Sequence, residues 1–145
     1  MKLSTRTRYG LRALLDIALS YGGEPVQIKS LALRQDISHK YLEQLVAILK
    51  SADVLRSIRG PRGGYVLSRP PGEIRLSEVF RVLEGPVLTV DCVEHAEICP
   101  NCPGCVTRQI WKELNDAMFG VLDSRTLKDL VEMVNKADKT VNYQI

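Results

Sequence analysis

Ser38-His39-Lys40-Tyr41-Leu42-Glu43-Gln44-Leu45-Val46, followed by Leu55-Arg56-Ser57-Ile58-Arg59, Gly60-Pro61-Arg62-Gly63-Gly64 and Tyr65-Val66-Leu67-Ser68, is the stretch whose reading decides the fold. Ser38 suits a helix N-cap, because its hydroxyl can accept a backbone N–H that the first turn leaves without a partner. Leu42, Leu45, Val46 and Leu49 recur at helical spacing, which predicts a helix from His39 to about Ala52 with that stripe facing inward. Just upstream, a short helix is expected near Ile28 to Gln35, with Ile28, Leu31 and Ala32 inward. Asp36-Ile37-Ser38 supplies a brief turn between the two. Two short helices joined this tightly form a helix-turn-helix. The two β-prone runs after it flank a Gly/Pro tip and predict a hairpin. A helix-turn-helix followed by a hairpin is a winged helix.

Working outward, a first helix is expected from Thr5 to Ser20, with Tyr9, Ala13, Leu14, Ile17 and Ala18 as its core stripe. Gly22-Gly23-Glu24-Pro25 ends it. After a Pro70-Pro71-Gly72 turn, a helix near Leu76 to Leu83 turns Val79, Val82 and Leu83 inward, and Gly85-Pro86 stops it. A long helix is predicted from Thr107 to Leu122. Its apolar residues Ile110, Trp111, Leu114, Ala117, Met118, Val121 and Leu122 make a broad stripe that a chain this short has little left to cover. The stripe therefore points to a second subunit, with packing inside the chain as the alternative. A last helix is expected from Thr126 to Lys136, with Leu127, Leu130, Val131 and Val134 inward, and an irregular tail over 137–145. The expected fold class is mainly α with a small β-hairpin wing: a winged helix-turn-helix carrying a long C-terminal dimerisation helix. Residues 1–72 form the DNA-binding region and 73–90 a connecting helix and loop. Residues 91–106 form a cysteine loop, and 107–145 the dimerisation and C-terminal helices.

At 145 residues the chain is long enough for one domain with a substantial core. Arg6, Arg8, Arg12 and Asp16 interrupt any apolar run at the N-terminus, so it is not a secretory signal. No stretch approaches the roughly 20 apolar residues of a membrane span. The expected location is cytoplasmic, with no membrane partner. Net charge is +3 but unevenly placed. Residues 1–70 hold 12 Lys/Arg against 5 Asp/Glu, and residues 71–145 hold 8 against 12. The basic half suits a phosphate-facing surface.

All four cysteines fall within fourteen residues, as Cys92-x6-Cys99-x2-Cys102-x2-Cys105. In a reducing compartment such thiols bind metal or react rather than form structural disulfides. Thiolates suit both iron–sulfur clusters and zinc. The short spacing fits part of a ferredoxin-type run, could still wrap one zinc ion, and leaves reactive or idle thiols as a third reading. His95 lies inside the loop, where a solvated side chain is the plain alternative to a ligand.

A recognition helix must turn polar side chains away from its core stripe, and Ser38, His39, Lys40, Glu43, Gln44 and Lys50 are placed for that. Gln44 can make a two-point contact with adenine, and Glu43 can accept from cytosine N4. Glu43 would also repel phosphate and so penalise wrong sites; its plain alternative is an ion pair with Lys40. Tyr41 either touches phosphate or packs. Arg59 and Arg62 bracket the wing tip, and Gly63 and Gly64 let the backbone approach closely. An arginine on a narrow hairpin suits a minor groove. Lys2, Ser4, Arg6 and Arg8 are placed to contact phosphates, which fixes register rather than sequence.

Ser4-Thr5-Arg6-x2-Tyr9-Gly10-Leu11-Arg12-Ala13, Ser38-x2-Tyr41-Leu42-Glu43-Gln44-Leu45 and Ser57-Ile58-Arg59-Gly60-Pro61-x-Gly63-Gly64-Tyr65 together resemble the IscR-type winged-helix regulators. The resemblance continues through Arg81-Val82-Leu83-Glu84-Gly85-Pro86, Cys105-Val106-Thr107 and Leu122-Asp123-Ser124. It implies a homodimeric transcription factor that binds a double-stranded DNA operator. Cluster-binding members use three cysteines in the loop before the dimer helix, and Cys92, Cys99 and Cys105 lie at about the matching places. The implied cofactor is an iron–sulfur cluster, [2Fe–2S] in the first instance, with zinc as the alternative. Some members complete the ligand set with a histidine three residues after the last cysteine, where this chain has Arg108, which cannot coordinate a metal. Others take an aspartate from the partner's N-terminal stretch, and Thr7-Arg8-Tyr9 offers none. Cys102 is the economical fourth ligand, with His95, Glu94 or Glu97 behind it. The rival reading within the family is a cysteine-metabolism repressor switched by a metabolic enzyme as partner or by thiol oxidation. Nothing in the chain reads as a phosphate loop or a Ser/His/Asp set, which argues against an enzyme.

Overall fold

Leu14, Leu31, Leu42, Leu45 and Leu49, the apolar positions that recur at helical intervals in the first third of the chain, are all completely buried. The helices that carry them are α1 (Thr5–Leu19), α2 (Ile28–Gln35) and α3 (His39–Ser51). The computed structural model describes residues 2–86 and 90–142, with backbone alone for 140–142. Its further elements are β1 (Leu55–Ile58), β2 (Gly64–Leu67), α4 (Leu76–Glu84), α5 (Val106–Asp123) and α6 (Leu127–Asn142).

Capping chemistry sets the ends of the reading helices. Ser38 accepts a hydrogen bond from the Tyr41 N–H at 3.2 Å and starts α3. Asp36 closes α2 in the left-handed conformation, at φ 52°, which turns the chain sharply enough for α3 to follow two residues later. β1 and β2 pair antiparallel in the register Leu55↔Leu67 through Ile58↔Gly64. Leu55 and Leu67 point into the core, and the rest of the hairpin projects outward. Its base is held on a third segment. Tyr65 N–H donates to the Val26 carbonyl at 2.8 Å, and Val26 N–H returns the bond at 3.0 Å.

The C-terminal half folds back on the same core. Leu76 N–H donates to the Arg125 carbonyl at 3.0 Å, and Leu127 N–H to the Ile74 carbonyl at 2.9 Å. Leu127 and Ile74 are both fully buried. α6 is therefore part of the winged-helix body and not an appendage beyond it. It also runs longer than its sequence suggests. The expected irregular tail is corrected over 137–142, which is helical through Asn142; residues 143–145 lie outside the described residues. No glycine or proline interrupts 137–142, so nothing stops a helix already nucleated at Leu127. The cysteine segment, expected as an irregular loop, carries three short 3-10 turns: Asp91–Val93, Ala96–Ile98 and Cys102–Gly104. Most of the stripe expected on α5 stays uncovered. Val106, Ile110, Leu114 and Val121 are each at least half exposed, while Leu122 is buried and Met118 packs partly buried against the core.

α1 and α4 meet at Gly10. A Cβ there would stand 2.7 Å from a methyl of Leu83, a side chain that is itself fully buried. Gly10→Ala should gain about 1 kcal/mol in helix propensity and lose about 1–3 kcal/mol to overpacking. The variant is therefore expected to unfold at the same or lower urea concentration than the parent. A clear rise in the urea midpoint would show that the two helices have room to spare.

Candidate nucleic-acid interface and cysteine loop

α3 turns His39, Lys40, Glu43, Gln44 and Lys50 to solvent on the face opposite its leucines, with exposed Ser38 at its start. Glu43 pairs with His39 at 3.4 Å, one helical turn away, rather than with Lys40. Tyr41 packs: its ring meets Tyr9 edge-on, with centroids 6.3 Å apart. Arg59 and Arg62 stand exposed at the hairpin tip. The tip needs its glycines for steric reasons. A Cβ on Gly63 would lie 2.1 Å from the Ile58 carbonyl oxygen, and one on Gly64 2.5 Å from that of Val26. Lys2 and Arg6 are exposed near the N-terminus of α1.

Ser4, expected near phosphate, is half-buried and makes bonds within the chain. It caps α1 by accepting from Thr7 N–H at 3.1 Å, and its hydroxyl donates to the Glu84 carboxylate at 2.6 Å. Ser4 N–H and the buried Thr7 hydroxyl donate to the same carboxylate. These bonds, joined by the nearby charge of Arg6, hold Glu84 below the usual carboxylate range. Glu84 was not singled out as a site residue from sequence. The only signal was its place just before Gly85-Pro86. It ties the basic N-terminal segment to the end of α4, the stem from which the chain runs into the cysteine loop.

A second clasp fixes α2 on α1. Arg34 donates two hydrogen bonds to Asp16, at 2.6 and 3.1 Å, Gln35 adds one at 2.7 Å, and Arg12 donates to the Gln35 carbonyl at 2.8 Å. Burial opposes the charge on Asp16, but the bonds from Arg34 and Gln35 outweigh it and hold the carboxyl below its ordinary value. The helix-turn-helix is thereby fixed in orientation through polar side chains whose pairing no sequence period announces.

Cys92, Cys99, Cys102 and Cys105 are free thiols, all partly exposed. Among the described residues no three His, Cys, Asp or Glu side chains are arranged to hold a metal ion. The thiols still sense one another. Partial burial raises the Cys102 thiol above its ordinary value, and the neighbouring thiols of Cys92 and Cys99 raise it further, against the pull of Arg108. Cys105 goes the other way. It is the N-cap of α5, and bonding to the Thr107 hydroxyl, at 3.2 Å, and to the Arg108 N–H favours its thiolate. His95 and Glu97 are exposed and pair with each other at 3.2 Å, and Glu94 is exposed beside them. As a donor set, four thiols within one short segment have the chemistry of a cationic thiophilic centre, although their sulfurs do not converge on one. Binding of such a centre would release the thiol protons.

A winged helix with a basic reading face, followed by a thiol-rich loop at the head of an uncovered helix, defines a DNA-binding regulator. Residues 3–133 match the family described as "Rrf2: Iron-dependent Transcriptional regulator". Protein rrf2 of Nitratidesulfovibrio vulgaris is 44% identical over 131 residues, covering 90% of this chain and 87% of that one. The structure of CymR, the global cysteine regulator of B. subtilis, superposes with a TM-score of 0.79 at 40% identity, covering 92% of this chain and 98% of that one. T. potens IscR gives a TM-score of 0.78 at 38% identity, covering 94% and 90%. The chain belongs to the Rrf2 family of transcriptional regulators, and the expected winged-helix fold is the observed one. Among the described residues no helix is long and apolar enough to cross a membrane.

Two expectations follow from this geometry. Gly64→Ala should open the Val26–Tyr65 bridge and weaken DNA binding while α3 stays folded, which amide exchange at Tyr65 and a binding titration would show together. The Glu84 carboxylate, with its folded-state pKa depressed, contributes stability above the ordinary carboxylate value of 4.5 and loses it as pH falls through the depressed value. Glu84→Gln should therefore be less stable than the parent near about pH 7, with the gap narrowing toward about pH 3 in urea titrations. A gap independent of pH would remove the charge from the account.

Proposed function

We propose that the protein is a dimeric DNA-binding repressor whose cysteine loop holds an iron–sulfur cluster, through Cys92, Cys99 and Cys105 with Cys102 as the further ligand. The observation that carries this reading is the position of the loop. Its stem is Glu84, which clasps the basic N-terminus of α1, and its last cysteine is the N-cap residue of α5. A change of state in the loop thus bears on the DNA-facing segment and on the exposed α5 face at once. Val106 at 72% exposure, Leu114 at 51% and Val121 at 64% would pair with a second copy, bringing two reading heads to one operator.

In that dimer each α3 enters a major groove, with Gln44 and Glu43 at base edges and Ser38, His39 and Lys40 beside them. Arg59 and Arg62 reach the flanking minor groove, and Lys2 and Arg6 meet phosphate. The cluster supplies an oxidation- and supply-sensitive centre when bound. The protein's part is to present thiolates, with Cys105 the readiest, and to carry the loop's order to α4 and α5. A second reading is supported by the sulfurs' failure to converge into a coordination set and by the likeness to CymR. In it the loop is a thiol switch or a docking site for a metabolic enzyme. Zinc in place of iron is the third.

Anaerobic purification followed by an optical spectrum and counts of iron, sulfide and zinc per chain separates the three. Visible charge-transfer bands with iron and sulfide in near-equal amounts support the cluster. One zinc and no colour converts the loop to a zinc site. Neither metal after anaerobic reconstitution supports the thiol or partner switch. For the DNA face, Arg62→Ala should weaken binding uniformly across sequences and lower the salt slope by about 1. A sequence-dependent loss would assign Arg62 to base reading instead.

A further inference from the structure

Arg108 stands in the first turn of α5, where a positive charge runs against the helix dipole. The structure shows what its side chain does there. Nε donates to the Cys92 carbonyl at 2.7 Å, and Nη2 donates to the Val93 carbonyl at 3.0 Å, sixteen and fifteen residues back in the chain. The side chain is half-buried. One guanidinium thus joins the first 3-10 turn of the cysteine segment to the head of α5.

We propose that Arg108 is the positioning residue of the cysteine loop, a two-pronged staple that closes residues 92–108 on the head of α5 and so presents the thiols to an incoming metal centre. The metal-presenting part rests on the proposed function, whereas the staple does not. The geometry favours arginine specifically. Two successive carbonyls are met by two N–H groups of one rigid fork, which the single ammonium of lysine does not reproduce. Closing the loop in advance removes conformational freedom that binding would otherwise have to remove. Arg108 is therefore not a vacant ligand position. It does work that a ligand could not do at the same place.

The test uses the full chain, reduced and metal-free, as the parent, Arg108→Gln and Arg108→Lys. Amide exchange is read at Val93, His95 and Ile98, whose N–H groups are bonded within the loop. Arg108→Gln should exchange there about tenfold faster, with α3 amides unchanged, and Arg108→Lys should fall between it and the parent. Each protein is then loaded with zinc(II), and the rate of its loss to a chelator is followed; Gln is expected to release it faster than Lys, and Lys faster than the parent. Unchanged loop exchange in Arg108→Gln overturns the staple. Exchange that rises equally in α3 also overturns it, because Arg108 would then support the fold at large. Faster loop exchange in Arg108→Gln, together with a parent that holds neither zinc nor a cluster, keeps the staple and overturns its metal-presenting role together with the cluster reading.

Discussion

Helix α1 can reach its place against α4 only because residue 10 has no side chain. Leu83 fills the space a Cβ would take, and one residue later the Glu84 carboxylate gathers hydrogen bonds from Ser4 and Thr7 at the start of α1. An apolar close approach and a carboxylate clasp therefore act on the same pair of helices, one turn apart. α1 also packs on α2, α3, β2 and α6, so its position sets that of the whole reading head. A buried threonine hydroxyl in that clasp is affordable because it has a charged acceptor.

The consequence reaches in two directions. Toward DNA, α1 fixes α2 through Asp16 and Arg34, and α2 fixes the turn that launches α3. Toward the cysteine segment, α4 ends at Glu84 and the chain runs on to four thiols and the head of α5. Arg81 of α4 lies over the Phe119 ring of α5 at 5.0 Å, a further tie between the two. A state of the loop and a geometry of the reading head are thus joined through α4 without a long path. What such a joint must supply for regulation is a difference in DNA affinity between two loop states.

The winged helix was legible because its signals are local. Leucines at helical spacing, Ser38 before a helix, and glycines in a hairpin tip each act within a few residues, and Leu42, Leu45, Leu49, Ser38 and Gly64 all stand as their sequence implies. The clasps were not legible. Ser4 and Thr7 lie about eighty residues from Glu84 and share no period with it, so the bond from the Ser4 hydroxyl to that carboxylate left no mark in the sequence. The end of α6 was misplaced because the absence of a stop is weaker to read than its presence. The cysteines announced themselves by type and spacing. Arg108, in contrast, could be read only as a missing ligand, because a hydrogen bond to a main-chain carbonyl leaves no mark in composition.

The measurement that bears most directly on this account is the affinity of the metal-loaded and metal-free dimer for one duplex, selected by the protein from a random pool and assayed anaerobically at one salt concentration. The account predicts affinities that differ by about tenfold or more, within the range of ordinary coupling between sites. Equal affinities would contradict it, because the cysteine loop would then have no purchase on the reading head.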